Sequence, residues 1–152
     1  MPIDSPRNVT VGLIQATCTT DPGVNLESTV ERIRTVAAAG ACVICLQEVF
    51  NLQYPCQSED HAGFQLAESI PGRSTHVIAQ IAKELDVVVV VPLFEKRAHG
   101  LYHNSAVVID ADGSTAGLYR KMHIPDDPLY YEKFYFAPGD LGFQAFDTKY
   151  AR

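Results

Sequence analysis

The stretch CVICLQE, Cys42 to Glu48, decides the fold. From Cys42 to Leu46 every residue is apolar, at odd and even positions alike, so an extended segment here would present apolar side chains to both sides. That is the pattern of a central strand covered on both faces. The run stops abruptly on Gln47 and Glu48. Upstream, Val9–Gln15 (VTVGLIQ) reads as a second short buried strand. Between the two, Asn25 is a candidate helix N-cap, with Ser28 three positions on. Val30, Ile33, Val36 and Ala37 then recur at helical spacing up to Gly40, a natural C-cap. Downstream, Phe50 to Gly72 is polar and broken by Pro55, Gly63 and Pro71, and reads as a long loop. Ser74 then caps a second helix whose apolar side is Val77, Ile78, Ile81, Ala82 and Leu85, followed by the strand Val87–Leu93. Strand, helix, strand, helix, strand is an α/β arrangement.

The next two runs, His103–Asp110 and Thr115–Arg120, flank Asp112-Gly113, a strong hairpin signal. The sheet is therefore expected to be mixed. After Lys121 the chain is a loop rich in Pro, Asp, Tyr and Phe as far as Gly139, and Phe143–Phe146 (FQAF) is expected to begin another short strand. The 152 residues suit one domain.

Composition excludes several classes of function. A formal charge of −6 with no Lys/Arg block argues against a nucleic-acid partner. Apolar runs such as Val87–Leu93 fall far short of the ~20 residues that cross a bilayer, so no membrane association is expected. The polar start MPIDSPRN shows no secretory signal, which suggests a cytoplasmic protein. Cys18, Cys42, Cys45 and Cys56 lack the density of a disulfide scaffold and fit reduced thiols. The Cys42-x-x-Cys45 pair lies inside an apolar strand, where positions three apart face opposite ways, and reads as two small hydrophobes rather than a redox or zinc pair. His61, His76, His99, His103 and His123 show no metal-ligand spacing.

Two charged residues stand at strand ends. Glu48 follows a fully apolar strand at the carboxyl edge, where α/β proteins hold ligands. A carboxylate half-buried there would be pushed toward a proton-accepting role, although a strand-end carboxylate also commonly caps a backbone or pairs with an arginine. Lys121, in YRKMHIPDDP, would by itself be an ordinary solvated strand end.

Taken together, ICLQEVF, YRKMHIP and YYEKFYFAPGD resemble the nitrilase superfamily of carbon–nitrogen hydrolases. The likeness runs in order through VTVGLIQ, IPGRST and LFEKRAHGLYHNSAVVIDADG, and is strongest to the N-carbamoylputrescine amidohydrolase branch, with LFEKRA, GLYHN and YRKMHIPDDP as its hallmarks. The resemblance implies that Glu48 is a general base, Lys121 the cation that stabilises a tetrahedral oxyanion, and Glu132 a second glutamate that positions Lys121 and the substrate. It implies a small-molecule N-carbamoyl amine as substrate, with an amine, carbon dioxide and ammonia as products, and needs no metal or organic cofactor. A carbamoylated diamine has a cationic end, for which Asp126, Asp127, Glu59 and Asp60 are the candidate carboxylates.

In the resembled family a cysteine is the nucleophile, in a segment after the part matched by FDTKYAR. None of the four cysteines here occupies that place, so residues 1–152 are expected to form a single, incomplete domain, the N-terminal portion of a longer enzyme and inactive alone. The implied fold is one α-β half of a four-layer α-β-β-α sandwich, a mixed sheet with two covering helices. Its uncovered sheet face would favour self-association, hence a homo-oligomer. The alternative is a non-catalytic module that binds a ligand or partner through that face.

Overall fold

The computed structural model describes residues 8–152; the polar N-terminal stretch taken above as lacking a secretory signal lies outside the described residues as far as residue 7. Five strands lie side by side in chain order: β1 (Val11–Ile14), β2 (Val43–Leu46), β3 (Val88–Ala98), β4 (Leu101–Ile109) and β5 (Thr115–Arg120). β1, β2 and β3 are parallel, and β4 and β5 add antiparallel neighbours. The parallel steps are bridged by helices α1 (Pro22–Ala38) and α2 (Arg73–Leu85). The sheet is mixed and the class α/β, as expected.

Several boundaries differ from the sequence reading, each for a physical reason. α1 begins before Asn25, because Asp21 is the N-cap: its carboxylate accepts from Gly23 N at 2.7 Å and Val24 N at 3.3 Å, with Pro22 in the first turn. Asn25 instead faces inward, where its amide donates to the carbonyls of Thr19 and Asn51. At α2 the N-cap is Gly72, not Ser74. The Thr75 hydroxyl accepts from Gly72 N, and the Glu68 carboxylate accepts from Ser74 N at 2.9 Å, so two side chains from outside the cap position satisfy the exposed amides. β3 does not stop at Leu93 but continues to Ala98. Pro92 does not break it: its carbonyl accepts from Phe50 N on the β2 side, past the last β2–β3 pair at Cys45 and Val90, so no ladder bond needs the missing N–H. Phe143–Phe146 forms no strand. The Phe146 ring instead lies against Gly117 of β5, where any β-carbon would sit 2.1 Å from it.

One face of the sheet carries Ile14, Ile44, Leu46, Val89, Val91, Leu93, Val107 and Ile109. These close into one core with Leu26 and Ile33 of α1 and Ile78, Ile81 and Ala82 of α2. Gly12 lets α1 approach this closely, since a β-carbon there would fall 2.2 Å from the Val36 side chain. The opposite face is different. Val43, Cys45, Val90 and Val108 are half-buried, while Val11 and Leu13 are 58% and 79% exposed. The cover expected on both sides of CVICL is thus present on one, because both helices pack on the same face.

At the far end of the open face a second cluster gathers Val49, Leu52, Cys56, Tyr135 and Phe136 from the segments after β2 and β5 around Phe94 of β3. It holds two short 3-10 turns, Pro55–Gln57 and His61–Leu66, against a one-turn helix, α3 (Glu132–Tyr135). Among the described residues no helix is long and apolar enough to cross a membrane.

Candidate active site

Three chain turns, distant in sequence, deliver three charged side chains to one place on the open face. After β2 the chain reverses through Val49, a β-branched residue held at φ 42, and this tight turn carries Glu48 outward. The Val49 side chain is buried in the second cluster, which holds the turn in place. Lys121 is the first residue past β5. Its N–H donates to the Asn104 carbonyl at 2.8 Å and its carbonyl accepts from Gly139 N at 2.8 Å, so its backbone is held on both sides. Glu132 opens α3, whose start is tied to the first 3-10 turn by Tyr131 N donating to the Cys56 carbonyl at 2.8 Å.

The Lys121 ammonium sits 3.1 Å from Glu48 Oε1 and 2.9 and 2.8 Å from the two oxygens of Glu132. Partial burial pulls the lysine's pKa down, but the hydrogen bonds to Glu132 and then Glu48 outweigh it, and the net shift is upward. The lysine is held as a cation. Glu132 is buried and receives a further hydrogen bond from the Tyr54 hydroxyl at 2.7 Å. Burial, followed by that bond to a carboxylate, pushes the Tyr54 phenol well above its ordinary range, so it remains a donor. Glu48 Oε1 also accepts from Asn104 Nδ2. Two of these partners, Tyr54 and Asn104, escaped the sequence reading. Asn104 left a trace, as one of three consecutive polar residues, His103 to Ser105, inside a strand; Tyr54 left none.

The Glu48 side chain is 48% exposed, about half-buried, because it stands beyond the end of β2 on the face that α1 and α2 leave open. The other named carboxylates lie apart from the cluster, and none bonds to it. Asp126, Asp127, Glu59 and Asp60 are all exposed. The Asp127 carbonyl accepts from Tyr130 N in a turn, and Asp60 caps the second 3-10 turn through Ala62 N. Asp60 does line a hollow of about 360 Å³ whose wall includes Gln53 and Tyr54. Those two residues also line a hollow of about 450 Å³ that contains Glu48, Cys18 and Gln47. A roomier hollow, about 900 Å³, is aromatic, lined by Phe64, Tyr102, Phe134 and Phe136, and contains none of the three charged residues.

The cysteines are all free thiols. Cys56 is fully buried beside the cluster, and burial followed by the negative charge of Glu132 pushes its thiol up to about 12. It is therefore a neutral thiol and a poor nucleophile. Burial also raises Cys18 and Cys45. Among the described residues there is no group of three or more His, Cys, Asp or Glu that could hold a metal ion.

On the helix-covered face, directly behind Lys121, lies an ion-pair network. Arg120 grips Glu95 through Nε at 2.8 Å and Nη2 at 2.7 Å, and reaches Asp140 through Nη1 at 3.0 Å. Asp140 also pairs with Arg97, and Ser105 donates to Glu95. Arg120 and Lys121, adjacent in sequence, point to opposite sides: one anchors the strand end, the other reaches into the cluster.

The carbon-nitrogen hydrolase family pattern matches residues 10–152. The chain belongs to the carbon-nitrogen hydrolase family. It is 46% identical over 147 residues to the N-carbamoylputrescine amidase of Solanum lycopersicum, a match covering 96% of this chain and 49% of that protein. The likeness to the N-carbamoylputrescine amidase of Oryza sativa is similar, 46% over 144 residues, covering 94% and 48%. The crystal structure of a carbon-nitrogen hydrolase from Helicobacter pylori superposes with a TM-score of 0.88 at 43% identity, over 93% of this chain and 48% of that one. The chain spans about half the length of the curated relatives it matches.

Proposed function

We propose that this chain is the base-and-cation half of a carbon–nitrogen hydrolase that cleaves N-carbamoylputrescine to putrescine, carbon dioxide and ammonia. The observation that carries the reading is the single Lys121 ammonium within 3.1 Å of Glu48 and 2.8 Å of Glu132. Glu48 is the general base and Lys121 the oxyanion cation. Glu132 holds Lys121 and, with Glu48, keeps it charged. No thiol of Cys18, Cys42, Cys45 or Cys56 hydrogen-bonds to Glu48 or Lys121, and burial raises Cys18, Cys45 and Cys56, so in this reading the nucleophilic thiol is supplied from outside residues 1–152 and this chain alone is inactive.

The chemistry follows from these roles. Glu48 takes the thiol proton as sulfur bonds to the carbamoyl carbon, and the carbonyl electron pair moves onto oxygen beside Lys121. Collapse expels the amine, which takes the proton back from Glu48, and leaves a carbamoyl thioester. Water, deprotonated by Glu48, attacks that carbon; the thiol leaves and regains a proton, and carbamic acid breaks down to carbon dioxide and ammonia. No step calls on a metal or organic cofactor. The cationic end of the substrate is assigned to Asp60, Glu59, Asp126 and Asp127, of which Asp60 has the best support because its hollow adjoins that of Glu48 across Tyr54. A cytoplasmic homo-oligomer belongs to the same proposal, supported by the free thiols and the open apolar face.

The test is turnover of N-carbamoylputrescine by the full-length protein that carries this chain, read as ammonia and putrescine in equal amounts. Removing a fixed oxyanion donor typically costs about 10²–10³ in kcat, which is the loss expected of Lys121→Met. Undiminished turnover in that variant, or full turnover by residues 1–152 alone, would refute the reading.

A further inference from the structure

Glu48 differs from Glu132, whose two oxygens both accept hydrogen bonds, in using only one of its own. Both hydrogen bonds it receives, from Lys121 Nζ and from Asn104 Nδ2, end on Oε1. Among the described residues Oε2 receives none. A carboxylate oxygen that already accepts two donors, one of them charged, is the weaker proton acceptor of the pair, so the geometry selects Oε2 as the oxygen that takes a proton.

The second donor is not a flexible surface group. Asn104 is 5% exposed, lies in the interior of β4 opposite Phe94 of β3, and its own carbonyl accepts the Lys121 N–H at 2.8 Å. One residue therefore binds both partners: its backbone holds the strand end that carries Lys121, and its side chain holds the carboxylate of Glu48. Glu48 itself is 48% exposed and opens the tight turn through Val49, so without that amide its carboxylate would be free to rotate about the single remaining contact with Lys121. Lys121 would then have only the buried Glu132 as a fixed neighbour.

We infer that Asn104 is a positioning residue for the general base: its amide pins Glu48 Oε1 and thereby turns Oε2 toward the open face, where the attacking thiol and later the water must arrive. The inference rests on the proposed role of Glu48. Its benefit falls on the proton-transfer steps and not on substrate capture, since Asn104 is buried beneath the cluster and lines neither of the hollows beside Glu48 and Asp60.

The test uses the full-length protein with N-carbamoylputrescine and three variants: Asn104→Leu, similar in size but without a donor, Glu48→Gln, and the two combined. Asn104→Leu lowers kcat by about 10–100-fold, in the range of general-base effects, with KM changed less than twofold. In the Glu48→Gln background the same substitution has no further effect on kcat, because there is no base left to orient. A merely structural asparagine would instead lower the melting temperature and reduce activity by the same factor in both backgrounds, which overturns the inference. Unchanged kcat in Asn104→Leu, with Glu48→Gln inactive, also overturns it while leaving the general-base reading intact. Full activity in Glu48→Gln removes both. Should Asn104→Leu fail to fold, Asn104→Asp keeps the size and offers Glu48 an acceptor in place of a donor; the same kcat loss at constant KM is expected, and wild-type kcat overturns the inference.

Discussion

Replacing Glu95 by glutamine should destabilise the fold far more than a one-atom change suggests. Glu95 is 3% exposed and takes two parallel bonds from Arg120, itself 8% exposed, with a third from Ser105. In Glu95→Gln the guanidinium stays buried and loses its one buried counter-charge, keeping only the half-exposed Asp140. Breaking a buried pair in this way costs about 3–5 kcal/mol, whereas replacing both partners by apolar residues is often nearly neutral. For a domain of this size that loss lowers the melting temperature by roughly 6–20 °C. The assay is urea unfolding of Glu95→Gln and of Glu95→Leu/Arg120→Met, at one protein concentration because association would shift the transition. The double variant should recover most of the loss. Acid narrows the gap between wild type and Glu95→Gln. Burial pushes the Glu95 carboxyl up, but the bonds from Arg120 and Ser105 outweigh it and hold its pKa below the ordinary glutamate value of 4.5. Its stabilisation is therefore present above that value and lost as pH falls through the lower folded one. A Glu95→Gln variant within ~1 kcal/mol of wild type near neutrality, or a double variant weaker than the single, refutes the reasoning.

Three further outcomes are expected. Cys56, with its thiol raised to about 12, has about a thousandfold less thiolate than an ordinary cysteine and should escape iodoacetamide in the folded chain while half-buried Cys18 reacts; peptide mass mapping that finds Cys56 labelled first would contradict the burial. Gly139→Ala places a β-carbon 2.0 Å from the Arg120 carbonyl, which should cost about 1–3 kcal/mol in unfolding and loosen the strap that holds Lys121; an unchanged melting temperature would show that the strap yields freely. The open sheet face, with Leu13 79% exposed, should drive residues 1–152 to associate, so sedimentation should give a mass above 16.7 kDa that rises with concentration and falls in Leu13→Glu; a constant monomer mass in wild type would rule this out.

How much of the site could be read beforehand depended on range. Glu48 announces itself because it terminates an apolar strand, a local pattern visible in a handful of residues, whereas Lys121 by itself reads as a solvated strand end and gained its role only with the family resemblance. Glu132 came only with the family resemblance, since nothing in YYEKFYF by itself separates its carboxylate from a solvated one. Tyr54 and Asn104 depend on contacts 78 and 56 residues away in sequence, to Glu132 and Glu48, and no periodicity encodes those. The missed extension of β3 has the same origin. EKRA looks like an exposed turn until Glu95 is seen to be neutralised by Arg120 from two strands away.

By itself, the sequence determined the α/β class, the order of strands and helices, the mixed sheet and the two strand ends that carry charge, because apolar periodicity and turn residues act over a few neighbours. Which face α1 and α2 cover, and which donors meet the Glu48 carboxylate, emerge only from the folded chain. Those depend on the balance between desolvating a charge and pairing it, a balance struck between side chains that the chain brings together only once it has folded.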